Sequence, residues 1–272
     1  MDELYSDDGL LMGDELGEWS LEKLRIIDCY LNIFSSAMKQ KWSDLCYVDL
    51  YASAGKSKVK GSDEIVPCSS LRALAVKFPF THYFYCDIES EKLSALKQRV
   101  DLLFPELVER CHFECGDCNE KAAQILQMIP EKDSLTFCLL DVYGLQNLVF
   151  ETIAQFAQRR TDFLILIPLQ MDFSRNREKY PEFTNRFLGV EDWTGGETIV
   201  EPAAVRKRFM DVLYSQMEKI GYKSTRDEVM PIKNTKGVTI YELAFFSKHP
   251  LGKDFFKKCK KGPQRFRQDK LL

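Results

Sequence analysis

No apolar run in the chain approaches the roughly 20 residues that a membrane-spanning helix needs, so an integral helical membrane protein is not expected. Histidine is scarce. His82, His112 and His249 stand beside no nucleophile at a readable spacing, and no Ser–His or Cys–His triad is assigned. The opening residues, Met-Asp-Glu-Leu-Tyr-Ser-Asp-Asp, lack the positive-then-apolar order of a signal peptide, so a cytoplasmic location is expected. A complete P-loop is absent too. Gly55-Lys-Ser57 matches its end, but its first glycine would fall at Leu50. There is no internal repeat and no low-complexity tract.

What is present suits one α/β domain with appended elements. The 272 residues are 45% hydrophobic and 29% charged, ordinary values for a globular protein. Nine cysteines, an odd number, are expected to be mostly reduced thiols. Cys111-x-x-x-Cys115-x-x-Cys118 has the spacing of an iron–sulfur motif. On a strand, however, Cys111 and Cys115 stand about 13 Å apart at roughly 3.3 Å per residue, too far for one cluster. His112 faces the other side. No metal site is assigned.

The net charge of −3 hides a polar arrangement. The first 18 residues hold seven acids and no base and read as a flexible acidic arm. Residues 253–272 hold eight Lys or Arg against Asp254 and Asp269, with Phe255, Phe256 and Phe266 interleaved. This basic tail is either a solvated, fraying helix or a nucleic-acid contact.

Between the ends, apolar periodicity alternates. A helix is expected from Ser20, with Leu21, Leu24, Ile27, Tyr30, Leu31 and Phe34 on one face. Strands are expected at 46–51, 83–87, 111–115, 135–141 and 163–167. Helices are expected at 69–77, 91–103, 120–129 and 150–159, with a long polar loop at 55–63. Residues 170–208 read as a helical insertion or lid. A helix over 205–220 and an antiparallel pair near 224–231 and 238–246 follow. Such β–α alternation argues for a mostly parallel sheet covered on both faces.

Four acids then draw attention: Asp49, Asp87 and Asp141 each close an apolar run, and Asp117 follows another. In an open α/β sheet the ligand sits outside the carboxyl ends of the strands, so strand-end carboxylates converge on one crevice. Acids also cap helices, and any single one is explained as well that way. The small-residue loop Ala52-Ser-Ala-Gly55 after the first strand suits close backbone approach to a ligand. Five parallel strands followed by an antiparallel pair is the pattern of S-adenosylmethionine-dependent methyltransferases. On that chemistry, Asp49, Tyr51, Ser53, Gly55, Asp87, Ile88, Asp117 and Cys118 are the candidate cofactor-binding residues. Asp87 serves the ribose hydroxyls, and Asp117 with the Cys118 backbone serves the adenine. Asp141 and Tyr143 are the candidate catalytic residues, the first to orient or deprotonate an acceptor and the second to hold it.

Several segments, in order, resemble motifs of the three-Cys-motif partner family: Tyr47-Val-Asp-Leu-Tyr-Ala-Ser-Ala-Gly55, Cys68-Ser-Ser-Leu-Arg-Ala-Leu74, Gly116-Asp-Cys-Asn-Glu120, Leu140-Asp-Val-Tyr-Gly-Leu145, Asp162-Phe-Leu-Ile-Leu-Ile-Pro168 and Leu243-Ala-Phe-Phe-Ser-Lys-His-Pro-Leu-Gly252. The resemblance spans about residues 21–260. It implies a Rossmann-like class I methyltransferase fold of seven strands, S-adenosylmethionine as cofactor, and a genetically linked protein partner. Ser53 stands where relatives usually carry Gly, and Val142 where they usually carry Pro. These departures favour the alternative of a non-catalytic scaffold that docks a protein or nucleic acid.

Overall fold

A computed structural model describes residues 4–169, 180–199, 201–223, 228–234 and 236–261. Helix α1 (Ser20–Met38) precedes β1 (Asp44–Asp49), a small hairpin of β2 (Lys56–Lys58) and β3 (Ile65–Pro67), and α2 (Ser69–Leu74). Then come β4 (His82–Asp87), α3 (Ser90–Leu103), β5 (Cys111–Cys115), α4 (Cys118–Met128), β6 (Ser134–Asp141), α5 (Phe150–Phe156) and β7 (Thr161–Ile167). The chain closes with α6 (Tyr180–Leu188), α7 (Pro202–Lys219), β8 (Val229–Lys233), β9 (Thr239–Phe246) and α8 (Pro250–Lys260).

Seven strands form one sheet in the order β5-β4-β1-β6-β7-β9-β8. The first five pair parallel, while β9 runs antiparallel between β7 and β8. This is the Rossmann-like class I methyltransferase arrangement that the alternation implies. Each buried strand carries apolar side chains on both faces, as a doubly covered sheet requires. One face packs Tyr47, Phe137, Leu164 and Phe245 under α1, α2, α3 and α8. The other packs Val48, Cys138, Ile165 and Phe246 under α4, α5, α6 and α7. No helix among the described residues is long and apolar enough to cross a membrane.

Three expectations need correction. First, residues 4–18 are no loose arm: Met12 is buried, Tyr5 bridges Leu11, and Leu16 bridges Val59 beside the β2–β3 hairpin. The cause is Arg99, a fully buried cation on α3 that donates to the Asp8 carboxylate at 2.9 Å and to the carbonyls of Leu10 and Leu11. Second, the polar loop at 55–63 contains β2, whose Ser57 pairs with Val66.

Third, the described part of the basic tail is structured. Phe255 and Phe256 are buried against the sheet rather than offered to a strand of nucleic acid, and Lys253 pairs with the buried Glu228 at 3.1 Å. Phe266 and residues 262–272 lie outside the described residues. The expectation of mostly reduced thiols agrees with the structure, in which seven cysteines are free, while Cys29 of α1 and Cys259 of α8 form a disulfide across 230 residues. Of the insertion expected at 170–208, residues 180–188 and 202–208 are helical, and 170–179 lie outside the described residues.

Candidate functional site

The strand-end acids do not stand level. Asp49 pairs across the sheet with Tyr85 on one side and Leu139 on the other. Asp87 and Asp141 therefore extend two residues further, about 7 Å at roughly 3.3 Å per residue. All three point to the α1–α3 face, since the side-chain period is two. Depth decides their chemistry.

Asp49 is wholly buried. It accepts hydrogen bonds from Ser69 Oγ (2.7 Å), Tyr47 Oη (3.0 Å) and the Tyr51 amide (3.2 Å). Burial pushes its carboxyl up to about 6, against the pull of the Ser69 hydroxyl. It organises the loop behind the site and lines neither of the cavities described below.

Asp87 is the organiser at the surface of the crevice. One oxygen accepts the Ser53 amide at 2.7 Å and the other accepts the Glu89 amide at 2.9 Å. A carboxylate offers about four lone-pair sites, so each oxygen keeps capacity for a ligand hydroxyl. Ser53 itself has a φ of +52°, and Gly55 follows with +89°. A Cβ on Gly55 would lie 2.9 Å from Leu96 Cδ1 and 3.0 Å from Leu71 Cγ, so glycine is required there. This tight loop brings Ala52 under β4, its amide donating to the Cys86 carbonyl at 2.9 Å.

Asp117 does double service. As the N-cap of α4 it accepts the Asn119 amide at 2.8 Å, the ordinary capping role. It is also exposed at the rim of a cavity of about 410 Å³. That cavity is lined by Tyr51, Asp87, Ile88, Cys118 and Tyr143 as well. Six of the ten candidate residues thus share one space. Ile88 is 70% exposed, an unusual apolar side chain offered to a ligand's flat face. Cys118 donates its thiol to Tyr51 Oη at 3.3 Å, and Tyr51 Oη donates to the Asn147 carbonyl at 3.0 Å. Burial pushes the Cys118 thiol up to about 11, so it is a packed thiol and no nucleophile.

Asp141 lies at the other end, where a void of only about 30 Å³ is lined by Ser53, Ser57, Cys68, Asp14 and Lys23. Lys23 Nζ sits 2.5 Å from Asp141 Oδ2. Burial works against the Lys23 charge, yet the Asp141 carboxylate outweighs it and holds its pKa above the usual lysine value. Tyr143 is exposed and borders both spaces.

Two cations escape the sequence reading. Lys23 stands in the first turn of α1, one helical turn before Ile27, on the apolar face. Arg99 likewise follows Leu96 by three on α3. A lone cation on a core-facing stripe is the available signal. Two lysines at this edge are neutralised, Lys56 by Asp7 and Asp8 and Lys58 by Asp63. A larger cavity of about 550 Å³, lined by Phe34, Trp42, Asp162 and His249, lies at the amino ends of the strands, away from the acids.

No protein-family model matches the chain, and no curated protein sequence does. Solved structures do resemble it. A Legionella pneumophila protein of family model DUF519 superposes with a TM-score of 0.50 at 8% identity, over 87% of this chain and 90% of that one. Trm1 from Pyrococcus horikoshii in complex with S-adenosyl-L-methionine gives 0.48 at 14% identity, over 83% of this chain and 54% of that one. M. jannaschii TYW2 in complex with AdoMet gives 0.38 at 12% identity, over 80% and 77%. This chain spans about half the length of Trm1. At such identities the likeness concerns the fold alone.

Proposed function

We propose that the protein is an S-adenosylmethionine-dependent methyltransferase. The observation that carries the reading is the 410 Å³ cavity bounded by Asp87, Asp117, Ile88 and Cys118 at the carboxyl edge of the sheet. The residues fit the nucleoside half of that cofactor. Asp87 keeps lone pairs for two ribose hydroxyls, Asp117 has a second oxygen for the adenine amine, and Ile88 covers the ring. Gly55 and Ser53 shape the loop toward the methionine half, while Asp49 and Tyr51 hold that loop from behind.

When bound, the cofactor supplies an electrophilic methyl group on a sulfonium. The chain's own part is positioning, which governs an in-line displacement. Asp141 orients the acceptor and takes its proton where one must leave, and Lys23 fixes the Asp141 carboxylate. Tyr143 offers a flat face to the acceptor. The tested variant is Asp117→Asn, which preserves the helix cap and weakens the adenine contact. Calorimetric titration of S-adenosylmethionine is expected to give micromolar binding, weakened about tenfold in the variant. A folded protein that takes up no heat with the cofactor refutes the reading.

The resemblance to the three-Cys-motif partner family supports a protein partner. Co-purification with the genetically adjacent product tests it. A second reading, a docking scaffold without catalysis, draws support from the narrow void at Asp141. The same titration decides between the two.

A further inference from the structure

The acids of the N-terminal segment sit on the cations around the Ser53 loop. Asp7 and Asp8 pair with Lys56 at 3.0 and 3.2 Å, and Asp14 pairs with Lys92 at 3.0 Å. Gly13 passes so close that a Cβ there would lie 2.3 Å from Ser53 Oγ and 2.8 Å from Ser57 Oγ. The Gly13 amide donates to the Lys56 carbonyl at 2.8 Å and the Leu16 amide to that of Lys58 at 2.9 Å. As a result the void at Asp141 and Lys23 holds about one water, whereas the nucleoside end stays open. An acceptor reaches Asp141 only if residues 12–16 lift. Asp8, held by the buried Arg99, keeps the segment tethered when they do.

We propose that the acidic segment 7–16 is an internal stand-in for the phosphate backbone of a single-stranded nucleic acid, the acceptor that lifts residues 12–16 to bring a base to Asp141. The inference rests on the methyltransferase reading. Lys56 and Lys92 are covered, with side chains 13% and 10% exposed; Asp7 and Asp14, 64% and 61% exposed, share them with Asp8 at 3.2 Å and with Glu89 at 2.6 Å. Such pairs are weak and exchange readily for a polyanion. Tyr143, exposed beside the void, supplies the stacking platform that single-stranded bases use.

The test uses the full chain with Gly13→Leu, a side chain that turning two serine hydroxyls cannot accommodate. Alkylation of Cys68, which lines the void, reports uncovering, and Cys138 in the opposite core reports unfolding. Cys68 is expected to react about tenfold faster with Cys138 unchanged, and a mixed-sequence single-stranded RNA to bind about tenfold more tightly by anisotropy. Adding Lys92→Gln or Tyr143→Ala reverses most of that gain. If Gly13→Leu exposes Cys138, the Asp7→Asn, Asp14→Asn double variant is read in the same way. Unchanged RNA affinity with Cys68 uncovered overturns the proposal, as does unchanged Cys68 reactivity. Equal tightening toward polyglutamate also overturns it and assigns the surface to an acidic protein. The RNA assay contains no cofactor, so a failed S-adenosylmethionine titration refutes the methyltransferase reading separately.

Discussion

Replacing Ser53 by glycine is expected to stabilise the protein by about 1–2 kcal/mol. Ser53 holds a φ of +52°, in the left-handed region where a Cβ crowds the following carbonyl. That conformation costs a residue with a side chain roughly 1–2 kcal/mol. Its Oγ is buried without a hydrogen-bond partner, which forfeits a further amount of about 1 kcal/mol. Against these gains, glycine adds freedom to the unfolded chain worth roughly 0.5–1 kcal/mol. The Ser53 amide still donates to Asp87, so the organisation of the crevice is retained. Urea denaturation is the assay: the midpoint rises and the slope stays constant. Ser53→Ala separates the two contributions, because it deletes the hydroxyl and keeps the strained backbone. A lower midpoint for Ser53→Gly at constant slope refutes the reasoning, since it means that the hydroxyl holds the loop together.

Other consequences are equally direct. Gly55→Ala combines a φ of +89° with contacts of 2.9–3.0 Å to Leu96 and Leu71, and is expected to lower stability by about 2–4 kcal/mol in thermal unfolding. Asp162, buried beneath Tyr30 and Ser247, is raised by burial to about 6 from 3.8, so the native state binds its proton more tightly than the unfolded chain does. Its contribution to stability is therefore lost as pH rises from about 4 through about 6; Asp162→Asn removes that slope, and the variant gains about 3 kcal/mol on the wild type between pH 4 and pH 8 in chemical denaturation.

The sheet was legible because its strands repeat an apolar run, a turn and a helix often enough to override local ambiguity. Helix α4 starts at Cys118 because Asp117 caps it, and β5 matches the expected 111–115. What escaped detection lies between distant segments. Nothing local announces that Arg99 will fold residues 4–16 onto the sheet edge, since the acids of that segment resemble those of any solvated arm. The interleaved Phe255 and Phe256 read equally as stacking groups or as the core face of a helix, and only α8 docking on β9 decides for the core. The Cys29–Cys259 pair, 230 residues apart, has no sequence signature at all.

The four acids show how depth and partners divide one residue type into different roles. Asp49, two residues short of its neighbours, is surrounded by three donors and becomes part of the framework. Asp87 is half committed: its two backbone bonds fix the direction of the lone pairs that remain. Asp117 divides its oxygens between a helix cap and the cavity. Asp141 alone is matched by a buried cation, Lys23, that no backbone geometry requires. Burying a lysine is unfavourable unless its partner is in place, so a helix face that keeps one opposite Asp141 does so at the expense of core packing. A framework acid needs only amides and hydroxyls, as Asp49 demonstrates. The ion pair fixes the direction of the Asp141 carboxylate at its end of the crevice, which is what the proposed acceptor-orienting role asks of it.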